Sequence, residues 1–254
     1  MDEYLLSRVE DASLNAIAPP QQRWLDGWIL RYSPGKARRA RCVNAVAPGR
    51  LPLAQKLELA GALFREAGLP LMLRITRFTE PPTLDDDLAT LGWPKLDLTR
   101  VLVLPRLSNT EPSALAPGTH WDRLDAAEYA EEVGQLRGSP EAHRLAHAQR
   151  LAHSPVPYFG YAIRRDADGL VLACGQYARE GNLVGLYDVT TRESARGQGL
   201  ARQLCERLLS LSASDGAEVA YLQVESGNDA ALSVYQRLGF VHGYTYHYRE
   251  GPDA

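Results

Sequence analysis

Cysteines and long apolar stretches are scarce in this 254-residue chain, and their scarcity excludes several classes of protein. Cys42, Cys174 and Cys205 lie far apart and form no C-x-x-C pair, which argues against a zinc ribbon and a disulfide framework. No run of about 18 apolar residues is present, and the acidic start has no basic and apolar leader. We therefore expect a cytoplasmic protein with no membrane partner.

The chain also lacks an excess of basic residues. It has 28 Lys and Arg against 31 Asp and Glu, for a net charge of −3 and a pI near 6.1, which argues against nucleic acid as the main partner. Residues 1–110 hold 15 basic and 12 acidic side chains, whereas residues 111–254 hold 13 and 19. The negative C-terminal half favours a cationic small molecule over a polyanion.

Apolar periodicity and turn residues predict a repeated order of helices and strands. The predicted helices are 53–67, 83–91, 124–136, 141–153, 200–211 and 229–238, and the predicted strands are 24–31 and 41–46 (a hairpin), 71–78, 96–104, 157–165, 170–178, 183–190, 217–225 and 241–249. After Gly68 and after Gly216, a strand and a helix lead to a second glycine 24 or 23 residues later. Matching order is typical of a repeated unit, so we expect two lobes, residues 1–110 and 111–254.

A glycine-rich turn, R-G-Q-G-L-A at residues 196–201, separates a predicted strand from a predicted helix. Backbone N–H groups and the helix dipole bind anions at such a helix start, and glycines let phosphate oxygens approach the main chain. The turn lacks the Gly-Lys-Ser/Thr ending of a P-loop, and Arg202 stands where the dinucleotide fingerprint needs its third glycine. Pyrophosphate is the natural ligand; a turn that merely starts a helix is the alternative.

A second stretch, L-Q-V-E-S-G-N-D-A-A-L-S-V-Y-Q-R-L-G-F at residues 222–240, begins as a strand and continues as a helix with Asn228 as its N-cap. Together the two stretches resemble the GNAT superfamily of N-acetyltransferases. Its acetyl-CoA signature, Q/R-x-x-G-x-G/A, is met at every fixed position by residues 196–201. The family's later Asn, Ala, Tyr and Gly-Phe are matched by Asn228, Ala231, Tyr235, Gly239 and Phe240.

The resemblance implies an α/β (α+β) fold, in which helices flank a mixed, mostly antiparallel sheet. It implies acetyl-CoA as co-substrate, with its pyrophosphate on the amides of the 196–201 loop and its pantetheine arm between two splayed strands. The coenzyme-binding residues that it implies are Val189, Thr190, Thr191, Arg196, Gly197, Gln198, Gly199, Leu200, Ala201, Arg202, Asn228, Ala231 and Tyr235.

The resemblance also implies roles in catalysis. In the family a tyrosine at the position of Tyr235 acts as general acid on the departing thiolate, and a phenol suits that task because its pKa, about 10, is near that of a thiol. A core aromatic beside Val234 is the alternative interpretation. The amine must lose a proton, and Asp188 or Glu225 is the candidate base. A capping role for Asp188 and a solvated position for Glu225 are the alternatives.

Three more side chains lie where the family covers its acceptor pocket, and we treat them as candidate substrate contacts: His143, His147 and Tyr158. His143 and His147 are four residues apart, but no carboxylate or cysteine completes a ligand set, so we expect no metal. A basic turn predicts either a solvated hairpin tip or an anion site. Its residues are Lys36, Arg38, Arg39 and Arg41.

The N-terminal half departs from the family pattern where a coenzyme would bind. Residues 48–52 read P-G-R-L-P, so two prolines stand where amide donors are needed. The predicted helix 83–91 has no tyrosine that matches Tyr235. We therefore expect a degenerate, non-catalytic GNAT-like lobe that shapes the acceptor pocket.

The resemblance implies an N-acetyltransferase that moves an acetyl group from acetyl-CoA to a primary amine by direct attack in a ternary complex. The expected acceptor is a small amine or an amino-acid-like metabolite. A non-catalytic acyl-CoA sensor and a protein or peptide N-acetyltransferase are the alternatives. The sequence leaves the acyl-chain preference and the oligomeric state open.

Overall fold

The structure is a computed structural model and describes residues 1–33 and 37–252. The helices in this part of the chain are α1 (Glu3–Ala16), α2 (Leu53–Glu66), α3 (Leu84–Thr90), α4 (Ala126–Leu136), α5 (Glu141–Ala152), α6 (Leu200–Ser214) and α7 (Asp229–Arg237). The strands are β1 (Gln22–Leu25), β2 (Trp28–Arg31), β3 (Val43–Ala45), β4 (Met72–Ile75), β5 (Lys95–Leu104), β6 (Thr119–Leu124), β7 (Tyr158–Arg165), β8 (Val171–Glu180), β9 (Leu183–Thr191), β10 (Val219–Glu225) and β11 (Val241–Glu250).

The chain divides into two compact units. The larger unit comprises Met1–Ala16 and Val101–Gly243, and the smaller unit comprises Ile17–Arg100 and the chain from Tyr244 onward. The strands β5 and β11 therefore contribute residues to both units.

This division differs from the predicted split after residue 110 at both ends of the chain. The N-terminal helix α1 belongs to the larger unit, where Asn15 donates to the carboxylate of Glu180 at 3.0 Å. The end of β11 belongs to the smaller unit, because His247 to Glu250 pair antiparallel with β4.

Within the larger unit the strands follow the order β10-β9-β8-β7-β6. The β9–β10 pair is parallel and the other three pairs are antiparallel. Neighbouring residues on a strand point to opposite faces, and on β8 Ala173 packs with the core under α6 while Cys174 packs with the core under α4. A mixed, mostly antiparallel sheet flanked by helices confirms the predicted fold class.

The helix α6 attaches to this sheet through one apolar face. Leu200, Leu204 and Leu208 are buried, as their helical spacing predicts. Leu211, the last residue of the predicted helix 200–211, is 36% exposed. Because residues four apart lie above one another on a helix, Ser212 follows Leu208 on the inner face and is fully buried there.

Within the smaller unit the strands follow the order β1-β2-β3-β4-β11, with β3 and β4 parallel. A separate core holds this unit together. Trp28 and Leu73 from the strands pack with Phe64 of α2 and Leu88 of α3, and all four side chains are buried.

The prediction of one strand over residues 24–31 is wrong, since this segment forms β1 and β2. Between them Asp26 and Gly27 have φ angles of 44° and 85°, as a two-residue Asp-Gly hairpin turn requires. The strand β2 then pairs antiparallel with β3. In the basic turn that follows β2, Arg38 and Arg39 begin a 3₁₀ turn, and Lys36 lies outside the described residues.

Candidate active site

The parallel strands β9 and β10 part at their C-terminal ends. Their pairing begins at Leu183 with Val219 and ends at Leu186 with Leu222. Both strands continue beyond those residues, β9 to Thr191 and β10 to Glu225. A gap between parallel strand ends is a common place for a ligand in α/β folds.

Beside this gap β9 carries a bulge. Gln176 on β8 pairs with Tyr187 and Cys174 pairs with Thr190, so Asp188 and Val189 both lie opposite Gly175. Asp188 has a φ angle of 55°, which is uncommon for a residue other than glycine. A bulge disrupts the ladder and redirects side chains, so this stretch of β9 is not fully paired with β8.

The loop 196–201 enters α6 through two left-handed glycines. Gly197 and Gly199 have φ angles of 77° and 79°, and a Cβ at either would meet no atom within 4 Å. Gly199 is the N-cap of α6 and provides no side-chain cap. The first amides of a helix have no intrahelical partner, and residues 196–199 are exposed. The main chain of this loop can therefore bind an anion.

The side chains at the start of α6 differ in their freedom. Leu200 is buried and fixes the helix on the sheet, while Ala201 is half-buried. Arg202 makes an ion pair with Glu206, with 2.7 Å between Nε and Oε1. Its charge is therefore already partly compensated within the helix.

The helix α7 begins with the predicted cap and places a tyrosine two turns later. The Oδ1 atom of Asn228 accepts from the N–H of Ala231 at 3.1 Å, which confirms the predicted N-cap. Tyr235 is buried, with 8% of its surface exposed, and its ring centroid lies 6.0 Å from that of Phe240. Burial, together with Cys205, raises the pKa of the Tyr235 hydroxyl above its ordinary value. The phenol is therefore protonated at neutral pH.

Asp188 is the centre of a polar group of side chains that we call the Asp188 cluster. Its Oδ1 atom lies 2.8 Å from Nη1 of Arg137, and its Oδ2 atom accepts from Nε2 of Gln176 at 2.8 Å. The Nε2 atom of His147 lies 3.3 Å from the same Oδ2. Arg137 also donates from Nε to the hydroxyl of Thr190 at 3.1 Å. One guanidinium therefore holds two residues of the bulged strand.

The charges of the cluster determine the protonation state of its carboxyl. Burial alone would raise the pKa of Asp188. The opposite effect of Arg137, His147 and Arg150 is larger and holds that pKa well below its ordinary value. The Asp188 carboxyl is therefore ionised at neutral pH and binds a proton weakly.

Glu225, the other candidate base, lies in a different environment. Its side chain is exposed at the end of β10. Its main-chain carbonyl accepts from the N–H of Asn228 at 3.0 Å, in the turn that leads to α7.

The three candidate substrate contacts have different surroundings. His143 is exposed on α5, whereas His147, one turn later, joins the Asp188 cluster. The ring of His147 also packs edge to face on Tyr129, with 6.3 Å between centroids. Tyr158 donates its hydroxyl to the carbonyl of Ala16 at 2.8 Å. Of these three side chains, His147 is the one that contacts Asp188.

Sequence reasoning missed Arg137 and Gln176. Arg137 is the C-cap of α4, where a basic residue is ordinary. Gln176 offered a weak signal, since it is a polar residue within the apolar strand β8. It is 1% exposed in the structure, and a buried amide requires a partner.

Within residues 1–33 and 37–252, no three His, Cys, Asp or Glu side chains are grouped as a metal site requires. The helices of these same residues are too short or too polar to cross a membrane.

Nearly the whole chain matches a known family. The family model described as "Probable histone acetyltransferase Rv0428c C-terminal" matches residues 6–249. Mycothiol acetyltransferase of Gordonia bronchialis is 30% identical over 239 residues, which cover 91% of this chain and 70% of that protein. The chain belongs to the GNAT family of acetyltransferases. It is therefore an acyltransferase of the GNAT type.

Other GNAT proteins match over most of their length. The "Uncharacterized N-acetyltransferase YobR" of Bacillus subtilis is 28% identical over 231 residues, which cover 90% of this chain and 91% of that protein. The solved structure of a GCN5-related N-acetyltransferase from Kribbella flavida has a TM-score of 0.68 at 18% identity and covers 98% of this chain and 96% of its own. At that identity the likeness shows the GNAT fold. GNAT acetyltransferases generally use acetyl-CoA.

Proposed function

We propose that this chain moves the acetyl group of acetyl-CoA to a primary amine by direct attack in a ternary complex. The observation that carries the proposal is the uncapped glycine loop at the end of β9, the strand that parts from β10 beyond Leu186. The loop that can bind an anion therefore follows the open edge of β9 along the chain. A small acceptor is supported by the relative that is named for mycothiol.

The residues of the loop fit the pyrophosphate of the coenzyme. The main-chain N–H groups of residues 197–200 supply donors, and the positive end of α6 adds partial charge. The side chains of Arg196 and Gln198 are exposed beside them and can add polar contacts. Arg202 contributes less, because Glu206 already binds its guanidinium.

The bulged strand fits the pantetheine arm and the thioester. Val189, Thr190 and Thr191 lie in the end of β9 that is not paired with β10 and are half-buried, so their main chain can form strand-like hydrogen bonds with the arm on that side. The N–H of Val189 can stabilise the charge that develops on the thioester oxygen. Asn228 uses its Oδ1 as the helix cap, and its amide nitrogen is left to donate to the arm.

Tyr235 is the proposed general acid. Its hydroxyl keeps its proton at neutral pH, and burial, which raises its pKa, makes it a weaker acid than an exposed phenol. It therefore donates that proton once negative charge has developed on the departing sulfur. Ala231 lies one turn earlier on α7, and its small side chain leaves room beside the tyrosine.

The amine must lose its extra proton before it attacks. Of the two candidate carboxylates, Asp188 has a strongly lowered pKa and is bound by Arg137, which makes it a weak proton acceptor. Glu225 is exposed at the strand end. We propose that Asp188 positions neighbouring groups instead of taking the proton.

The smaller unit is proposed as a GNAT-like lobe that binds no coenzyme. Its counterpart of the glycine loop, residues 48–52, precedes α2. There the main-chain N–H groups of Arg50 and Leu51 donate to the carboxylate of Asp26 at 2.8 to 2.9 Å. These hydrogen bonds lower the pKa of Asp26, and the one from Arg50 has the largest effect. A carboxylate of the chain itself thus occupies the donors that would face a phosphate.

Thiol release tests the proposed function. The protein is incubated with acetyl-CoA and, in separate reactions, with L-amino acids, glucosamine, spermidine or a peptide with a free N-terminus. We expect thiol release that depends on one class of amine and an acetylated product of matching mass. Tight acetyl-CoA binding without turnover on any amine would instead identify a sensor.

A further inference from the structure

The imidazole of His147 is held on two sides at the bulge. Its Nε2 atom lies 3.3 Å from Oδ2 of Asp188, and its ring packs on Tyr129 at an interplanar angle of 81°. The side chain is 16% exposed, so water and a substrate can still reach part of it. Asp188 directly precedes Val189, which carries the main-chain N–H that we propose for the thioester oxygen.

The ion-pair contact with Asp188 distinguishes the two ring nitrogens of His147. A nitrogen that faces a carboxylate carries the hydrogen, and the other nitrogen then keeps its lone pair. In His147 the nitrogen that faces the carboxylate is Nε2, which is buried and lies at ion-pair distance from Oδ2 of Asp188, without the alignment of a hydrogen bond. No residue in the described parts of the chain makes a hydrogen bond to Nδ1. Nδ1 is therefore the free proton acceptor of the cluster.

The groups in and around the Asp188 cluster come from four elements of the larger unit. They are Tyr129 from α4 and Arg137 at its end, Cys174 and Gln176 from β8, Asp188 from β9, and Arg150 from α5. Among these groups Asp188 carries the negative charge, and it faces the imidazole directly. An imidazolium formed here has a counter-ion within contact distance.

We propose that His147 is the general base of the acetyl transfer and that Asp188 is its positioning residue. This inference rests on the proposed acetyltransferase function. An ionised carboxylate such as Asp188 accepts a proton poorly at neutral pH, whereas a neutral imidazole keeps a nitrogen lone pair that can take one. Other enzymes that activate a nucleophile use the same arrangement, in which a third group orients the base.

The proton balance of the step is complete. The Nδ1 atom of His147 takes one proton from the ammonium, and the nitrogen lone pair then forms the N–C bond with the thioester carbon. The C–S bond breaks with its electron pair on sulfur, and Tyr235 gives that sulfur a proton. The second proton lost by the attached nitrogen restores the phenol through solvent. His147 releases its proton to water, so one proton leaves for each amide formed.

Variants of His147 and of the exposed histidine at the end of α5 test this assignment. The full-length protein is assayed with acetyl-CoA and the amine that gives the fastest thiol release, and kcat/KM is followed from pH 5.5 to 9.5. We expect His147→Gln to lose about 100-fold or more in kcat/KM and to lose the acid limb of the profile. His153→Gln, at the exposed C-cap of α5, is the matched control and should keep the activity and the acid limb of the unchanged protein.

Two further measurements separate catalysis from structure. His147→Ala should regain activity with added imidazole, because a small base can enter the space beside Tyr129, and its affinity for acetyl-CoA should match that of the unchanged protein. Asp188→Asn should lower kcat while keeping the acid limb. An unchanged pH profile in His147→Gln, or no rescue by imidazole in a folded His147→Ala, overturns the assignment. If the unchanged protein acetylates no amine, the proposed function fails first.

Discussion

Surroundings determine what Tyr235 and Asp188 can do, although both are ordinary residue types. Tyr235 is buried on α7, so its pKa is raised and its proton stays on the oxygen. Asp188 is also buried, but cationic neighbours reverse the effect of burial and keep it charged. Tyr235 thus has a proton to donate, whereas Asp188 keeps a negative charge at neutral pH.

Tyr235→Phe is expected to lower kcat by about 100-fold while the affinity for acetyl-CoA stays unchanged. The hydroxyl makes no hydrogen bond to any described residue, so its removal should leave the melting temperature nearly constant. Steady-state kinetics and calorimetric titration with acetyl-CoA check this. Equal turnover in the variant would remove Tyr235 from the mechanism.

Asp188→Asn is expected to destabilise the protein at pH 7. The native pKa of Asp188 lies well below its ordinary value, so its stabilisation is present above about pH 4 and is lost as the pH falls through the native pKa. Urea unfolding at pH 7, 5 and 3 should show a difference that shrinks only at the lowest pH. Glu225→Gln, at an exposed carboxylate, is the control with no expected change. A difference that is constant with pH would contradict the ion-pair account.

At the scale of elements, the starts of α6 and α7 differ in the donors that they leave for the proposed coenzyme. The helix α7 is capped by the side chain of Asn228, whereas α6 begins at a glycine without a side-chain cap. In a helix with a side-chain cap, that side chain accepts a hydrogen bond from a main-chain N–H of the first turn. An uncapped and exposed start leaves donors for a ligand, so α6 is the helix suited to an anion.

Gly199→Ala is expected to weaken acetyl-CoA binding by about tenfold or more, because a Cβ at φ 79° strains the loop and blocks close approach of an anion. Gly169→Ala, at φ 71° with the same open surroundings, is the matched control. Both variants should lose about 1 kcal/mol or more of stability. Equal coenzyme affinity in the two variants, measured by calorimetry, would contradict the role of the loop.

At the scale of the whole molecule, two units of related element order carry one candidate site. In the smaller unit the donors of Arg50 and Leu51 are bound by Asp26, while in the larger unit the corresponding loop is open. Calorimetric titration should therefore give one acetyl-CoA for each 254-residue chain. A stoichiometry of two would show that the smaller unit binds coenzyme as well.

Local features were predictable from the sequence. The left-handed glycines, the cap at Asn228 and the order of most elements depend on residues within a few positions of each other. Predictions failed where local signals conflicted or were weak. The Asp-Gly pair divided a strand that apolar residues made continuous, and α1 and β6 were not predicted at all.

What the sequence determined by itself was the family, the glycine loop and the tyrosine that follows Asn228, because each depends on a motif of fixed spacing. The tertiary structure alone decided the Asp188 cluster. Its members Arg137, His147 and Gln176 come from the end of α4, from α5 and from β8, and no spacing along the chain relates them. Only the packing of α4 and α5 against the bulged strand brings their charges together, and those charges determine whether Asp188 accepts a proton or holds a neighbour in place.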